Sequence, residues 1–278
     1  MADFIDVAVI GAGPAGLTAA ATLARQLHTA VVFDSGSYRN SSATHMHMVP
    51  GWENKNPQEF RSSTRSDILS AYSSIQFADD ADGRQWSFRK VLLAVGSHDT
   101  YPGIDGYAEL WTKRIFHCLF CHGYEDRGAS SVGVLAVFPI VIPALVMHMA
   151  ENAAQLSEAV TIYTHSDESL TAQLSHAVGS KFRTEPRKIK RLVHNQTSGS
   201  VTVEFVDGTH KEEKFLVHNP LTSADAPAHQ TSVRGVFAAG DCITPYKVIP
   251  GAISSGCNAA VAVSTQLQAE KYGQPPMF

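Results

Sequence analysis

The stretch FIDVAVIGAGPAGLTAAATLARQL (residues 4–27), followed closely by AVVFD (residues 30–34), decides the fold class. Residues 4–10 are an apolar run of strand length, residues 14–27 are rich in alanine and leucine and predict a helix, and residues 30–34 predict a second strand. A strand, a helix and a second strand in this order form a βαβ unit, whose two strands run parallel. The sequence therefore predicts an α/β fold.

A glycine-rich loop separates the first predicted strand from the helix, and it reads Gly11-Ala12-Gly13-Pro14-Ala15-Gly16. Glycines at this place allow a tight turn and a close approach of the backbone to a pyrophosphate, whose charge is stabilised at the helix N-terminus. Asp34 stands 23 positions after Gly11, where a carboxylate accepts a hydrogen bond from a ribose hydroxyl and repels a 2′-phosphate. We therefore predict a site for FAD or NAD rather than NADP.

A second βαβ pattern follows Gly106, with a strand at 132–137, a helix near 141–155 and a strand at 160–164. Two such patterns predict two Rossmann-like, three-layer nucleotide-binding domains, the first interrupted by the second. The predicted domains are 1–110 with 223–278, and 111–222. The other predicted elements are helices at 58–72 and about 251–270, strands at 74–77, 86–96, 201–206, 214–217 and 234–238, and a turn at Asp82-Gly83.

The second βαβ pattern lacks the residues of a phosphate-binding loop. After its first strand the chain reads Phe138-Pro139-Ile140-Val141-Ile142-Pro143, where bulky side chains block the backbone and each proline removes a hydrogen-bond donor. After its second strand the chain reads His165-Ser166-Asp167-Glu168, without an arginine for a 2′-phosphate. We therefore predict a degenerate domain that binds NADPH poorly.

Composition and charge exclude several classes of protein. The 278 residues are 44% apolar and 17% charged, with a formal charge of −4, which is typical of a globular protein and not of a nucleic-acid binder. Residues 132–150 carry no formal charge, but Pro139 and Pro143 interrupt them, so we expect a buried strand, turn and helix and no membrane span. The N-terminus has acidic residues and no basic region, which predicts a cytoplasmic protein.

Cysteine usage indicates redox chemistry. Four cysteines do not form a disulfide framework, but Cys118-Leu119-Phe120-Cys121-His122 places two thiols three positions apart beside a base, which suits a reversible disulfide. The alternatives are half a zinc site, a haem attachment site or a buried structural pair. Without a second close pair or an export signal we favour the redox dithiol and predict no metal site. Cys242 and Cys257 are expected to be small core residues.

A softer signal lies near the end of the chain, where Gly240-Asp241 follows the apolar strand RGVFAA. A carboxylate between a strand and a helix can accept hydrogen bonds from sugar or ribityl hydroxyls. An ordinary turn is the alternative interpretation of this dipeptide.

The order of these motifs resembles the low-molecular-weight thioredoxin reductase family over nearly the whole chain. The motifs are GAGPAG, Pro50-Gly51-Trp52, LLAVG ending at Gly96, C-x-x-C, GVFAAGDC and SSGCNAA. Where that family has an acid after its second cysteine, this chain has His122, and CLFCHGYEDRG is similar to the fungal gliotoxin-type dithiol oxidases. The chain is also shorter than the family pattern between Phe77 and Trp86 and before Ala228.

The resemblance implies FAD as cofactor, a homodimer, molecular oxygen as electron acceptor with hydrogen peroxide as product, and closure of a disulfide in an epidithiodiketopiperazine or similar small molecule. It implies that residues 1–110 and 223–278 bind FAD, and that Gly96, Gly240 and Asp241 are cofactor residues beside the glycine loop and Asp34. The alternatives are an NADPH-dependent disulfide reductase acting on a protein such as thioredoxin, and a flavin-bound redox sensor without turnover.

The resemblance also implies roles for individual side chains. Cys121 lies against the flavin, and Cys118 takes the sulfur of the substrate. His122 is interpreted as the base that deprotonates the incoming thiol, with a hydrogen-bonded structural histidine as the alternative. His45 and His47, in the polar segment before Pro50, are weaker candidates for the mouth of the substrate site.

Overall fold

The glycine-rich stretch folds as its pattern predicts, into a strand, a turn, a helix and a second parallel strand. The structure is a computed structural model that describes residues 5–78, 85–175, 181–223 and 230–275. The strands are β1 (Ile5–Ile10), β2 (Ala30–Phe33), β3 (Ile75–Ala78), β4 (Phe88–Leu93), β5 (His98–Thr100), β6 (Ile115–Phe116), β7 (Ala129–Leu135), β8 (Ser157–Tyr163), β9 (Phe182–Glu185), β10 (Ile189–Asn195), β11 (Ser200–Phe205), β12 (His210–Glu213), β13 (Leu216–Val217), β14 (Leu221–Ser223) and β15 (Val236–Ala238).

Helices cover much of the remaining chain. They are α1 (Pro14–Arg25), α2 (Pro57–Ala71), α3 (Tyr107–Leu110), α4 (Leu119–His122), α5 (Pro143–Ala154), α6 (Glu168–Ser175) and α7 (Ile249–Lys271). Short 3-10 turns lie at Tyr124–Asp126 and Gly240–Ile243. Within the described part of the chain, no helix is both long and apolar enough to cross a bilayer.

The chain divides into two compact units. Unit 1 comprises Met1–His98 with Ser223–Phe278, and unit 2 comprises Asp99–Thr222. The domain limits predicted from the sequence, and the nucleotide assigned to each domain, stay predictions.

Unit 1 is built on a five-stranded parallel sheet in the order β15-β4-β1-β2-β3. Its core is formed by the apolar residues of β1 and β2 together with α1 and α7. A Cβ on Gly256 would lie 2.2 Å from the carbonyl oxygen of Ala15, so only glycine at position 256 lets α7 pass this close to α1. Residues of β1 and α7, which are far apart in the sequence, therefore share one core.

Unit 2 contains a parallel sheet in the order β6-β13-β7-β8-β9 and an antiparallel sheet in the order β10-β11-β12. Helix α5 connects β7 to β8, which pair with Val134 opposite Ile162. Residues 132–150 thus form the end of β7, a loop and most of α5, as the prediction of a strand, turn and helix requires. The three-layer α/β class predicted from the sequence is confirmed.

Several boundaries differ from the predictions. Helix α1 ends at Arg25 instead of residue 27 because Leu27 adopts a left-handed φ of 63°, a conformation that no helix contains. The strand predicted over 86–96 is confined to Phe88–Leu93. The elements that were not predicted are strands β5, β6, β9, β10, β12 and β14 and helices α3, α4 and α6. The predicted turn at Asp82-Gly83 and the shortened segments near Asp80 and Ala224 lie outside the described residues.

Candidate functional site

The loop from β1 to α1 has the geometry of a phosphate cradle. Gly11 has a φ of +109°, and a Cβ there would lie 2.3 Å from the carbonyl oxygen of Ala94. A Cβ on Gly16 would lie 1.8 Å from the Gly11 oxygen, whereas a Cβ on Gly13 would meet no atom within 4 Å. No side chain caps the N-terminus of α1, and Pro14 occupies its first turn. Open space therefore faces the free end of a helix, where anions bind favourably.

The other predicted cofactor residues lie at the same edge of the sheet, because parallel strands end together. Asp34 follows β2, Gly96 follows β4 with a φ of +70°, and Gly240 follows β15 with a φ of +83°. The strand order puts β2 on one side of β1 and puts β4 and β15 on the other. A dinucleotide with its pyrophosphate at β1 would extend one half toward Asp34 and the other toward Asp241.

Two further features lie on the side of this edge that carries Gly96 and Asp241. The Nζ of Lys247 donates hydrogen bonds of 2.8 Å to the carbonyl oxygens of Asp241 and Thr244, which fixes the turn that carries Asp241. Among the described residues, the hydroxyl of Ser97 beside Gly96 is buried and has no hydrogen-bond partner. A buried polar atom of this kind is normally satisfied, so a ligand lying along the edge fits the residues present.

Asp34 is held by its neighbours. Its carboxylate accepts a hydrogen bond of 3.0 Å from the backbone N–H of Gly36 and another from the phenol of Tyr38. The guanidinium of Arg61 lies 3.9 Å from the centre of the Tyr38 ring and donates a 2.9 Å hydrogen bond to Asn40. The sequence analysis missed Tyr38 and Arg61, since neither belongs to a periodic pattern and they are distant in the chain.

The segment 44–55 holds the two weaker candidates, His45 and His47. Their rings lie 5.1 Å apart, and the Nδ1 of His47 pairs with the carboxylate of Glu53, whose other oxygen accepts a 3.0 Å hydrogen bond from the N–H of Met48. The hydrogen bond to His47 lowers the pKa of Glu53. This segment is an ordered turn of unit 1, and its role at a substrate site stays a prediction.

Cys118 and Cys121 form a disulfide with their Cα atoms 5.2 Å apart. Cys118 stands immediately before α4, and the N–H of Cys121 donates a 3.2 Å hydrogen bond to the Cys118 carbonyl. Buried Leu119 anchors this turn in the core of unit 2, while both cysteines stay partly exposed. In this state neither sulfur is a thiolate, so neither offers a ligand to zinc or a thiol to haem.

His122 ends the same short helix. Its ring centre lies 5.8 Å from that of Phe116, and Phe116 is buried in the core of unit 2. The side chain is partly exposed, so the imidazole is anchored on one side and reachable by solvent on the other. Its assignment as a base stays a prediction.

The two remaining cysteines differ from each other. Cys242 is buried, as predicted, and burial raises the pKa of its thiol. Cys257 on α7 is only partly buried, so its prediction as a core residue is wrong. The sequence does not indicate that Cys257 is partly exposed, because its exposure depends on which face of α7 packs against α1.

The carboxyl edge of the unit 2 sheet carries apolar side chains in place of a glycine cradle. Between β7 and α5, Phe138 is 66% exposed and Ile142 is 60% exposed. After β8, the Nδ1 of His165 accepts a 3.1 Å hydrogen bond from the N–H of Ile189, and Asp167 accepts a 2.8 Å bond from the N–H of Leu170. These two polar side chains therefore already bind the protein's own backbone.

Unit 1 has a sheet edge whose loops fit a dinucleotide, and unit 2 carries a cysteine disulfide. Together these features define a class of redox protein. The chain belongs to the pyridine nucleotide-disulphide oxidoreductase family, whose model matches residues 5–213. It is an oxidoreductase of the thioredoxin reductase-like type, as the resemblance predicts, and its cofactor is FAD.

Individual proteins are similar over nearly the full length. The chain is 40% identical to thioredoxin reductase tcpT of Claviceps purpurea, over 99% of this chain and 98% of that one. It is 39% identical to thioredoxin reductase aclD of Aspergillus oryzae, over 96% and 97% of the two chains. The crystal structure of HlmI superposes with a TM-score of 0.85 at 26% identity, covering 98% of this chain and 95% of that one.

Proposed function

We propose that this protein is an FAD-dependent dithiol oxidase, which closes a disulfide in a small-molecule dithiol of the epidithiodiketopiperazine type. The observation that carries the proposal is the partly exposed Cys118–Cys121 disulfide, followed by an imidazole at His122 instead of an acid. The proposed electron acceptor is molecular oxygen, and the proposed product beside the disulfide is hydrogen peroxide.

The proposed reaction consists of two consecutive thiol–disulfide exchanges. A first substrate thiolate attacks the Sγ of Cys118, forms a mixed disulfide and releases Cys121 as a thiolate. The second substrate thiolate then attacks the substrate sulfur of that mixed disulfide, which closes the substrate ring and releases Cys118. The substrate thereby loses two protons and two electrons, and the cysteine pair holds the electrons.

Other residues supply the binding and the proton transfer. FAD, when bound, supplies the two-electron chemistry that returns the cysteine pair to its disulfide and passes the electrons to oxygen. Gly11, Gly13, Pro14, Ala15 and Gly16 hold its pyrophosphate, and Asp34, Gly96, Gly240 and Asp241 hold its two sugar-like portions. His122 accepts the proton of the incoming thiol, because only the thiolate attacks a disulfide.

The apolar residues at the carboxyl edge of the unit 2 sheet argue against an NADPH-dependent reductase. Exposed Phe138 and Ile142 stand where a pyrophosphate would need free N–H groups, and Pro143 removes a donor at the first turn of α5. The names of the relatives favour the reductase. We therefore keep it as the second candidate, and a flavin-bound redox sensor as a third.

Anaerobic reduction of the bound flavin, followed by its visible absorbance, tests the three candidates. If the protein is a dithiol oxidase, its flavin is bleached by a small dithiol such as dithiothreitol or a reduced epidithiodiketopiperazine. The flavin then stays yellow with NADPH. Rapid bleaching by NADPH supports the reductase. A flavin that is bleached by a dithiol but is not reoxidised with hydrogen peroxide release when air is admitted contradicts oxygen as acceptor and supports the sensor.

We also propose a homodimer, on the strength of the resemblance, and, separately, a cytoplasmic location. Sedimentation equilibrium of the FAD-loaded protein measures the mass directly. A mass of about twice the 30.0 kDa of the chain supports the dimer, and a mass equal to that of one chain contradicts it.

A further inference from the structure

The Asp34 carboxylate accepts hydrogen bonds from groups of the protein that have no part in the proposed reaction. The phenol of Tyr38 donates to one carboxylate oxygen, and the N–H of Gly36 donates to the other. Together these two donors set the plane of the carboxylate. An ionised carboxylate can accept about four hydrogen bonds, so two positions remain for a ligand.

Tyr38 is itself fixed. The Arg61 guanidinium covers its ring at 3.9 Å, and Arg61 is only 9% exposed. A hydrogen bond of 2.9 Å from Arg61 to the Asn40 side chain orients the guanidinium plane. Stacking between a guanidinium and an aromatic ring is favourable, most of all when the pair is shielded from water.

We propose that Tyr38, held in place by Arg61, is a positioning residue that fixes the Asp34 carboxylate for the ribose in the adenosine half of FAD. A carboxylate that already has its bound orientation loses less side-chain freedom when the ligand arrives, which strengthens binding without a new contact. Asp34 lies at the end of β2, on the adenosine side of the glycine loop. The inference is thus confined to unit 1 and is independent of the substrate.

The protonation state of Tyr38 agrees with this role. Burial and then the neighbouring Asp34 raise the pKa of the phenol to about 12. The phenol therefore keeps its proton, and stays a donor to the carboxylate, across the physiological pH range.

The test measures how tightly each variant holds FAD, not how fast it turns over. Holoprotein is diluted in steps, and the fluorescence of released FAD gives the dissociation constant. Tyr38→Phe keeps the ring under Arg61 but deletes the donor, and we expect roughly tenfold weaker binding. Tyr272→Phe, which removes a phenol from an exposed ring near the end of α7, is the control and should bind as the wild type does.

A double-mutant cycle separates positioning from a direct contact. Asp34→Ala should weaken FAD binding by itself, and adding Tyr38→Phe should then cause no further loss, because Tyr38 acts through the carboxylate that is now absent. Losses that multiply in the double variant would overturn the proposal, as would wild-type affinity of Tyr38→Phe. An unchanged affinity of Asp34→Ala would instead overturn the assignment of Asp34 to the ribose.

A second variant guards against a general loss of structure. Arg61→Lys keeps the charge but loses the planar stacking on Tyr38, so we expect weaker FAD binding in the same direction. That loss should vanish in the Asp34→Ala background. If it persists there, Arg61 acts on the fold and the proposed chain from Arg61 through Tyr38 to Asp34 is wrong.

Discussion

The phenol of Tyr107 donates a hydrogen bond of 2.7 Å to the Nδ1 of His218, and both side chains are fully buried in unit 2. The Nε2 of His218 lies 3.3 Å from the carbonyl oxygen of Val137, just past β7. Since a carbonyl only accepts, the Nε2 carries the proton and the Nδ1 accepts from the phenol. The neutral imidazole thus ties α3 to the loop at the carboxyl edge of the sheet.

The first prediction is that protonation of His218 destabilises the protein in mild acid. Burial lowers its pKa from 6.5 to about 4. Between these two values the unfolded chain binds a proton that the folded chain does not, so the free energy of unfolding falls as the pH falls. From about pH 7 to about pH 5, His218 should account for a loss of about 2 kcal/mol.

Urea unfolding at the two pH values measures this effect. His218→Gln keeps a donor and an acceptor without a titrating group, so its unfolding free energy should depend less on pH by that amount. Substitution of the exposed His194 by Gln is the matched control. An equal pH dependence in His218→Gln and the wild type would contradict the assignment.

The second prediction contrasts two glycines of the β1–α1 loop. Gly13→Ala places a methyl group into open space with an ordinary φ of −72°, so the FAD-free protein should change in stability by less than about 1 kcal/mol. FAD binding should nevertheless fall by at least roughly tenfold, because the methyl group occupies the place of the pyrophosphate. Gly16→Ala, whose Cβ would lie 1.8 Å from the Gly11 oxygen, should destabilise the fold itself.

Urea unfolding with FAD removed, together with FAD fluorescence, distinguishes the two variants. Each variant is the control for the other, because Gly13→Ala should change FAD affinity and Gly16→Ala should change stability. Wild-type affinity for FAD in a folded Gly13→Ala protein would show that no pyrophosphate approaches this backbone.

The third prediction concerns the cysteine pair. Cys118→Ser and Cys121→Ser should each abolish oxidation of a small dithiol while FAD stays bound, since the exchange needs both sulfurs. Cys257→Ser is the matched control, because Cys257 is also partly exposed but has no disulfide. Oxygen uptake measures the reaction, and the flavin spectrum measures the cofactor content. Turnover of Cys121→Ser at the wild-type rate would mean that the substrate reduces the flavin without the relay.

The fourth prediction concerns His122 and the ionisation of the substrate. A small-molecule thiol with a pKa of about 8.5 is only a few per cent thiolate near pH 7. His122→Ala should therefore slow the anaerobic reduction of the flavin by a dithiol roughly a hundredfold at neutral pH. The deficit should shrink as the pH rises and the substrate ionises unaided.

Stopped-flow absorbance over a range of pH follows this rate, with the FAD content as control. A loss that is the same at every pH would show that His122 is structural. No loss at any pH would mean that another residue is the base, and His45 and His47 in unit 1 would be the next residues to substitute.

The sequence predicted the parallel strands well because their signals are local. In unit 1, β1, α1 and β2 follow from an apolar run, a glycine loop and a helix opened by Pro14. In the antiparallel sheet of unit 2 only β11 was predicted, because β10 and β12 are rich in charged residues and contain no continuous apolar run. Lys190 and Arg191 are exposed in β10 and separate its apolar residues.

The same contrast holds for the site. The glycine loop, Asp34 and the cysteine pair belong to fixed spacings, so the sequence alone is enough to propose them as site residues. Arg61 and Tyr38 come together only when α2 packs beside the turn after β2, which no spacing encodes. Glu213 in β12 likewise looks like a surface residue, yet it is buried and accepts a 2.6 Å hydrogen bond from Tyr163.

Unit 1 is completed by the last part of the chain, since β15 pairs with β4 and Gly256 of α7 packs against Ala15. During synthesis at the ribosome, the two units are therefore completed at different times. Unit 2 is fully synthesised once Thr222 has emerged, while unit 1 still lacks one edge strand and a helix that shares its core. The growing polypeptide can thus fold the unit that bears the disulfide before α7 emerges to complete the core of unit 1.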